Sequence, residues 1–489
     1  MNHLKQISYC LAFLLISLGT AAQDTSRISI SPFSLTKSIN KKLCISSITI
    51  TGNKKTKTYI IQRELQFKKG DSLYAPSLMK DMEQARSQVY NTSLFNEVRI
   101  NVVSVSESDI SITIIVKERW HVYPVPQFQW VDRNFNEWWK TYKHSLDRVN
   151  YGIKFAHYNL TGRRDQLRVY FINGYSRNYI ISYSNPSINK KLNRGISFTF
   201  NHFQNREIAY KSSLNNVLQF YPVTPDSSIK VTGDFVRTGY YVAGGYSIRN
   251  GLFTRHSISA GFTHLKIEDS VIDKKYNPNY FKDSVTVKNF IDLAYSFQYN
   301  RLDNNSYPLE GISAYAAILK RGLGITGGLN MLSLEGGLTK YYNLKKNWYA
   351  HVQLYAKVKL PFDQSYLNQR GLGYGETYLR GLEYKVIDGV AYGLVKGTLR
   401  KKLFHFSIPF PFFPKVLTKI PFTFYAKTFA DAGYVYTKKK YDTYLSNRFL
   451  YTGGFGIDVL SVYDVNLRFE YSFNQLGQRG LFFHTQNGF

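Results

Sequence analysis

The chain has 489 residues, enough for two or three domains, and it carries a formal net charge of +30. Its mean hydropathy is −0.29, and after the first 20 residues no apolar run has the length of a transmembrane helix, so a helical membrane protein is excluded. The only cysteines are Cys10 and Cys44, which excludes a cysteine metal cluster.

The first 22 residues have the three parts of a secretory signal peptide. Lys5 supplies a positive charge, residues 10–18 form an apolar segment, and Thr20-Ala21-Ala22 supplies small residues. This pattern predicts cleavage after Ala22 and therefore an exported protein. The residue directly after the cleavage point is Gln23 and not a cysteine, so a lipid anchor is not expected. Cys44 then remains as a single thiol without an intrachain disulfide partner.

Two segments precede the main pattern of the chain. Residues 23–40 form a short lead-in rich in Ser and Thr, and residues 41–118 have the pattern of one small α/β domain. Apolar residues recur at strand spacing, then at helical spacing, and then at strand spacing again, which predicts the order β-α-α-β-β. The predicted elements are a strand at 45–50, helices near 56–66 and 75–91, and strands near 97–103 and 110–117.

From Trp120 onward, apolar and polar residues alternate. In residues 464–473 every second side chain is apolar, so this strand has one apolar and one polar face. Many such strands over 120–489, with 40 Tyr and 34 Phe in the chain, predict an all-β membrane fold, a transmembrane β-barrel with a polar lumen. Sixteen strands are predicted, with 211–230 as an irregular loop: 122–130, 149–160, 165–175, 178–185, 195–210, 234–249, 253–266, 287–300, 310–320, 328–341, 347–360, 391–403, 421–436, 448–460, 464–473 and 480–489.

Short motifs in both regions resemble those of the BamA/TamA outer-membrane superfamily, the bacterial surface antigen family. The unit 41–118 resembles a POTRA domain in its element order and in its motifs. The long connection 361–390 contains Arg380-Gly381 among aromatic residues and is similar to the Val-Arg-Gly-Phe/Tyr segment of the family's sixth loop. The other similar segments are Gly52-Asn53, Arg63-Glu64-Leu65, Gly70-Asp71, residues 94–98, 159–163 and 301–304, and Phe429-Ala430-Asp431-Ala432-Gly433.

The resemblance implies a specific contact inside the barrel. In this family the loop returns into the lumen, and its arginine pairs with an aspartate of the inner wall; the corresponding residues are Arg380, which precedes Gly381, and Asp431. A guanidinium group offers a rigid two-pronged fork for a carboxylate. Leu382 stands where the family has an aromatic residue, which predicts a less completely packed loop. A single POTRA domain predicts a specialised paralogue rather than the central assembly protein.

The resemblance also implies the insertion, assembly or translocation of outer-membrane polypeptides in a bacterial outer membrane, with the POTRA domain in the periplasm. The expected partners are unfolded outer-membrane or secreted polypeptides, periplasmic accessory proteins, and outer-membrane lipid and lipopolysaccharide, but no nucleic acid. An exposed edge of the POTRA sheet is expected to receive added strands. Two alternatives remain open: a dedicated secretion pore for one partner protein, and a passive porin.

The end of the chain predicts the seam of the barrel. Leu481, Phe483 and Phe489 share one face of the predicted terminal strand 480–489, which is expected to meet residues 122–130. Polar residues between them make this face less apolar than usual, which suits a weakly held seam that opens sideways. An unpaired strand edge there is a template for an incoming strand.

No motif predicts an enzyme, a cofactor or a metal site. Residues 322–327 fit the pattern GxGxxG, but they connect two strands instead of a strand and a helix. The sequence contains neither HExxH nor GxSxG. The positive charge has two interpretations: attraction of lipopolysaccharide or acidic client segments, or a solvated surface of loops and lumen.

Overall fold

The computed structural model describes residues 28–30, 42–130, 143–222, 235–324, 329–409, 419–438 and 443–486. The predicted signal peptide, most of the lead-in and Phe489 lie outside these ranges. Within them, no helix has the length and apolar character needed to cross a membrane.

The N-terminal unit is a mixed five-stranded sheet covered by helices. Its elements are β1 (Ile28–Ile30), β2 (Lys42–Thr51), α1 (Thr58–Gln62), β3 (Ser72–Tyr74), α2 (Leu78–Tyr90), β4 (Phe95–Ser104) and β5 (Asp109–Glu118), with the strands in the order β1-β4-β5-β2-β3. The helix spacing of α2 and the strand spacing of β4 and β5 bury one face of each element. The residues that make up this core include Leu78, Met82, Ala85, Val89, Val98, Ile100, Val102, Ile110, Ile112, Ile114 and Val116.

The lead-in contributes a strand that the sequence did not predict. β1 pairs in parallel with β4, with Ile28 opposite Ile100, and the Ser29 hydroxyl donates a hydrogen bond of 2.8 Å to Asn101 Oδ1. Ile28 packs against the domain core. The lead-in therefore covers residues 100–102 of β4 at one edge of the sheet, and β3 forms the opposite edge.

The rest of the described chain forms one antiparallel sheet of sixteen strands, as predicted. Its members run in sequence order from β6 to β25, and two small hairpins, β11–β12 and β19–β20, lie outside it. The elements are β6 (Val122–Trp130), β7 (Val149–Tyr158), β8 (Gln166–Gly174), β9 (Arg177–Asn185), β10 (Arg194–Asn205), β11 (Ile208–Ser212), β12 (Leu218–Tyr221), β13 (Arg237–Asn250), β14 (Thr254–Ile267), β15 (Val287–Leu302), β16 (Gly311–Arg321), β17 (Met331–Asn343), β18 (Trp348–Leu360), β19 (Arg370–Leu372), β20 (Ile387–Asp388), β21 (Ala391–Pro409), β22 (Lys419–Tyr436), β23 (Phe449–Leu460), β24 (Asn466–Asn474) and β25 (Arg479–Gln486).

One predicted strand is divided in the structure. The segment 195–210 becomes β10, which ends at Asn205, and the start of the hairpin β11–β12, which lies where an irregular loop was expected. The hairpin packs against the loop after β14 and the start of the connection 361–390. Four consecutive polar residues, 204–207, interrupt the alternation where the two strands separate.

Exposure along β24 follows the predicted faces. Phe469 and Phe473 are 41% and 51% exposed, whereas Asn466, Glu470 and Ser472 are buried. The apolar face therefore points outward, toward the lipid, and the polar face packs inside the barrel.

The first and last strands of the sheet are its two ends. β6 pairs only with β7, and β25 only with β24, in the ladders formed by the described residues. No backbone ladder joins β6 to β25 there, so the seam between them has two unpaired edges.

Candidate functional site

The connection 361–390 is folded into the lumen and closely packed. Leu379 and Leu382 are 1% and 3% exposed, and they lie in one cluster with residues of the inner wall. The expectation of a loosely packed loop at Leu382 is wrong, because the smaller aliphatic side chain is enclosed on all sides. The cluster consists of Leu372, Leu379, Leu382, Ile387, Tyr392, Leu394, Val435, Leu445 and Leu450.

Arg380 and Asp431 meet inside the barrel. Arg380 donates hydrogen bonds from Nε to Asp431 Oδ2 at 2.8 Å, from Nη2 to Oδ1, and from its backbone N–H to Oδ2 at 3.1 Å. It also donates to Thr398 Oγ1 at 2.8 Å and to the Gly397 carbonyl at 3.1 Å. Its guanidinium group lies 4.0 Å from the centre of the Phe429 ring. This arrangement satisfies a buried charge with a carboxylate, neutral acceptors and an aromatic face.

Gly381 allows the chain to turn directly after this arginine. Its φ of +92° lies in the left-handed region, and a Cβ there would lie 3.2 Å from the Cβ of Ser472. Its N–H donates to Glu383 Oε2 at 2.7 Å, and its carbonyl accepts from Asn474 Nδ2 at 2.8 Å. The loop is thus fastened both to β22, through Asp431, and to β24.

A second ionic network on the inner wall was not recognised from the sequence. Lys427 of β22 donates to Asp458 of β23 and to Glu470 of β24, and all three side chains are at most 2% exposed. The Tyr307 hydroxyl donates to Asp458 at 2.8 Å. The available signal was a charge at a lumen-facing position in each of three successive strands.

The POTRA domain is joined to the barrel by a buried ion pair. Arg249, at the end of β13, donates from Nη1 and Nη2 to the two carboxylate oxygens of Glu64, both at 2.6 Å. Burial alone would raise the pKa of Glu64, but the hydrogen bonds and charge of Arg249 lower it below its ordinary value. The carboxylate is therefore ionised and paired at neutral pH.

Further contacts place the POTRA domain across the periplasmic mouth. They reach the turns between β7 and β8, β15 and β16, and β23 and β24, besides the Arg249 turn. Because these turns are distributed around the barrel, one domain that contacts all of them must span the opening. The contacts are Lys57 N–H to Gly162 O (3.0 Å), Asn159 Nδ2 to Thr56 Oγ1 (2.9 Å), Asn91 Nδ2 to Leu302 O (2.9 Å), Arg119 Nη2 to Asp464 Oδ2 (2.6 Å) and Tyr90 hydroxyl to Asp464 Oδ1 (2.9 Å).

Loops pack together at the extracellular end. The Tyr366 N–H donates to the Asn279 carbonyl at 3.0 Å, and the Leu445 N–H donates to Asn216 Oδ1 at 3.1 Å. An apolar cluster connects the β11–β12 hairpin, the loop after β14 and the start of the luminal loop. Its members are Ile208, Tyr210, Val236, Leu265, Ile267, Val271, Tyr280, Phe281, Phe290, Leu329 and Tyr366.

The seam has a chemical feature that the sequence analysis missed. Pro124 and Pro126 lie in β6, and neither has an amide hydrogen. Being two residues apart, they turn their nitrogens toward the same side of the strand, and proline in a sheet is confined to edges where that side has no ladder. Across the seam, Leu481 and Phe483 are 72% and 56% exposed. The Pro-Val-Pro motif could have indicated an unpaired edge.

The comparisons with known proteins agree with this architecture. A POTRA family model, described as a surface antigen variable number repeat, matches residues 44–119, and the Omp85 superfamily domain matches residues 159–484. No curated protein matches the sequence significantly. A structure of BamA from Haemophilus ducreyi lacking POTRA domains 1–3 aligns at 16% identity and a TM-score of 0.50, over 91% of this chain and 84% of that one. CdiB from Escherichia coli aligns at 13% identity and a TM-score of 0.51, over 91% and 75%.

The fold and the luminal loop define a sixteen-stranded barrel preceded by a POTRA domain. Because the second family model spans more than half of the chain, this protein belongs to the Omp85 superfamily. The predicted resemblance is thus confirmed, and membership supports a role in polypeptide insertion or secretion at the bacterial outer membrane.

Proposed function

We propose that this protein inserts outer-membrane polypeptides into the bilayer at the seam between β6 and β25. The observation that carries the proposal is the lack of a backbone ladder between these two strands within the described chain. Unpaired N–H and C=O groups of a sheet edge are a template for another strand. A client strand that pairs there can enter the membrane with its backbone hydrogen bonds satisfied, as the bilayer requires.

The two prolines support a seam that opens readily. Each backbone hydrogen bond contributes only about 0.5–1.5 kcal/mol net, so removing two donors lowers the stability of a closed seam by roughly 1–3 kcal/mol. The energy needed for insertion then comes from the folding of the client. Neither a nucleotide nor another cofactor is required by this mechanism.

The edges of the POTRA sheet are less available for strand addition than the edges of the seam. β1 covers the central part of β4, and the opposite edge is β3, which has only three residues. A client or an accessory protein that binds along β4 must first displace the lead-in strand. We therefore assign the first strand pairing of a client to the seam and a steering role to the POTRA domain.

Secretion through the lumen is the second candidate function. The Arg380 contacts hold the luminal loop inside the barrel, and the POTRA domain spans the periplasmic mouth. A passenger in the lumen would require both to move, whereas insertion at the seam requires neither. The same two features disfavour a passive porin, since an open diffusion path would cross the packed loop.

Site-specific crosslinking of a client tests the proposal. A photoreactive residue at Phe128 or Leu481, which are 57% and 72% exposed beside the seam, should trap a membrane-protein client during insertion. The matched control is Leu354, which is 46% exposed on β18 but far from the seam in strand order. Crosslinks from the lumen-facing Lys154, with none from the seam positions, would contradict the proposal and favour secretion.

A further inference from the structure

Three side chains from three separate elements converge beside the last strand. They are Glu383 of the luminal loop, Glu470 of β24 and His484 of β25. His484 Nε2 lies 3.5 Å from Glu383 Oε1 and 3.6 Å from Glu470 Oε2, and each residue offers one ligand atom within 4.8 Å of those of the other two. Carboxylate oxygens and imidazole nitrogens are both ligands of divalent zinc.

The facing atoms lack ordinary hydrogen-bond partners. Glu383 Oε1 and His484 Nε2 are both buried and have no hydrogen bond, and the Glu383 side chain is only 9% exposed. Their separation exceeds the usual length of an N–H···O hydrogen bond. A buried carboxylate oxygen without a donor is costly, so a cation placed between these atoms would stabilise the arrangement.

The separations fit a metal ion better than a direct hydrogen bond. With metal–ligand bonds of about 2.0–2.2 Å, two ligands of a tetrahedral zinc ion lie roughly 3.3–3.6 Å apart. Both distances to His484 Nε2 correspond to this tetrahedral edge. We propose that Glu383, Glu470 and His484 bind a divalent transition-metal ion, of which zinc suits the donor set best.

The atoms behind these ligands are already held by the protein. Glu383 Oε2 accepts from the Gly381 N–H at 2.7 Å, and Glu470 Oε1 accepts from Lys427. His484 Nδ1 lies 3.5 Å from the Tyr378 hydroxyl, and the two rings are stacked. Metal ligands are oriented by such outer contacts, which leave one atom of each side chain directed at the ion.

Charge balance also permits a divalent ion. The two carboxylates supply two negative charges when His484 is neutral. Of the adjacent cations, Lys427 is shared between Glu470 and Asp458, and Arg380 is paired with Asp431, so each of these two has a carboxylate other than the proposed ligands. The two carboxylate ligands would therefore balance the charge of the ion.

Such an ion would connect the luminal loop, β24 and β25. Because β25 borders the seam, the bound metal would hold this strand to its neighbour and to the loop. This consequence rests on the proposed function, in which the edge of β25 receives a client strand. The metal site itself does not depend on that function.

Metal titration of the full-length protein in detergent tests the site directly. After treatment with a chelator, Zn²⁺ is titrated by calorimetry, and Co²⁺ is titrated by visible absorption as a probe of tetrahedral geometry. We expect one equivalent to bind, with at least a tenfold loss of affinity in His484→Gln and in Glu383→Gln. His264→Gln is the matched control, because His264 lies on β14 and contacts Asn289. The Glu383 variant changes a loop residue, so the test stands even if a change in β25 impairs folding.

No saturable binding, or equal binding by all variants, would overturn the proposal. Metal binding is measured without a client, and client crosslinking at the seam is measured separately. A negative result in either measurement therefore does not affect the interpretation of the other. If the protein binds metal but gives no client crosslinks at the seam, only the proposed function is refuted.

Discussion

Arg249 of the barrel and Glu64 of the POTRA domain, 185 positions apart in the chain, form a two-pronged ion pair with both N–O distances at 2.6 Å. The Glu64 side chain is 4% exposed and the Arg249 side chain 13%. This pair lies at the periplasmic mouth and is one of several contacts that hold the POTRA domain beneath the barrel.

Glu64→Gln should loosen the docked domain. Loss of one partner of a buried pair costs about 3–5 kcal/mol, and the residual exposure of Arg249 favours the lower end. Spin labels at the exposed Lys80 and Lys346 should report one narrow distance in the parent and an added, broader one in the variant. Glu83→Gln, which breaks an ion pair within α2, should leave the distance unchanged. An unchanged distance in Glu64→Gln would show that the other contacts are enough to keep the POTRA domain docked.

The same pair predicts a pH dependence of docking. The pKa of Glu64 is lowered in the docked state, so its contribution is fully present above the ordinary value of 4.5 and is lost as the pH falls through the lowered value. The spin-label distance should therefore be constant near neutral pH and broaden only in acid below 4.5. Broadening between pH 6 and 8 would indicate a different titrating group.

Arg380→Ala should release the luminal loop while the barrel stays folded. The substitution leaves the fully buried Asp431 without its cation and costs about 3–5 kcal/mol, less if lumen water reaches the site. Hydrogen exchange should rise across residues 370–390 and stay slow in β14 and β15. Arg380→Lys should rescue only in part, because one ammonium cannot reproduce the forked contact. Unchanged exchange in the loop would contradict an anchoring role.

The two faces of β18 should respond differently to charge. Leu354 is 46% exposed on the outer face, and Leu354→Arg near the bilayer midplane should cost about 2–4 kcal/mol of folding free energy in lipid vesicles. Gln353 points to the opposite side, and Gln353→Arg should cost much less. Equal costs at the two positions would contradict the assignment of the faces.

The alternation of apolar and polar residues predicted the strands, because strand geometry depends on neighbouring residues. The alternation in residues 464–473 predicted β24, at 466–474, because strand period is encoded within a few residues. The contact of Arg380 with Asp431, 51 positions apart, was predicted through a motif resemblance and not from the pattern itself.

Contacts between distant segments were not predictable in the same way. Nothing near Glu64 indicates that its partner is Arg249, because no period links the POTRA domain to a turn of the barrel. β1 was missed since three residues are too few to show alternation. The packing of Leu382 depends on the shape of the surrounding wall, which a single sequence does not contain.

A disulfide across the seam tests the central claim most directly. In a Cys44→Ser background, cysteine pairs that combine Pro126 or Phe128 with Leu481 or Phe483, all on the outer face of the sheet, should include one that crosslinks β6 to β25. The control is Ser257→Cys with Ser296→Cys, since these residues are directly opposite in the ladder of β14 and β15. Client insertion into lipid vesicles is then measured before and after reduction. The account predicts that the oxidised seam pair blocks insertion, that reduction restores it, and that the control pair has no effect. Normal insertion by the oxidised seam pair would contradict it.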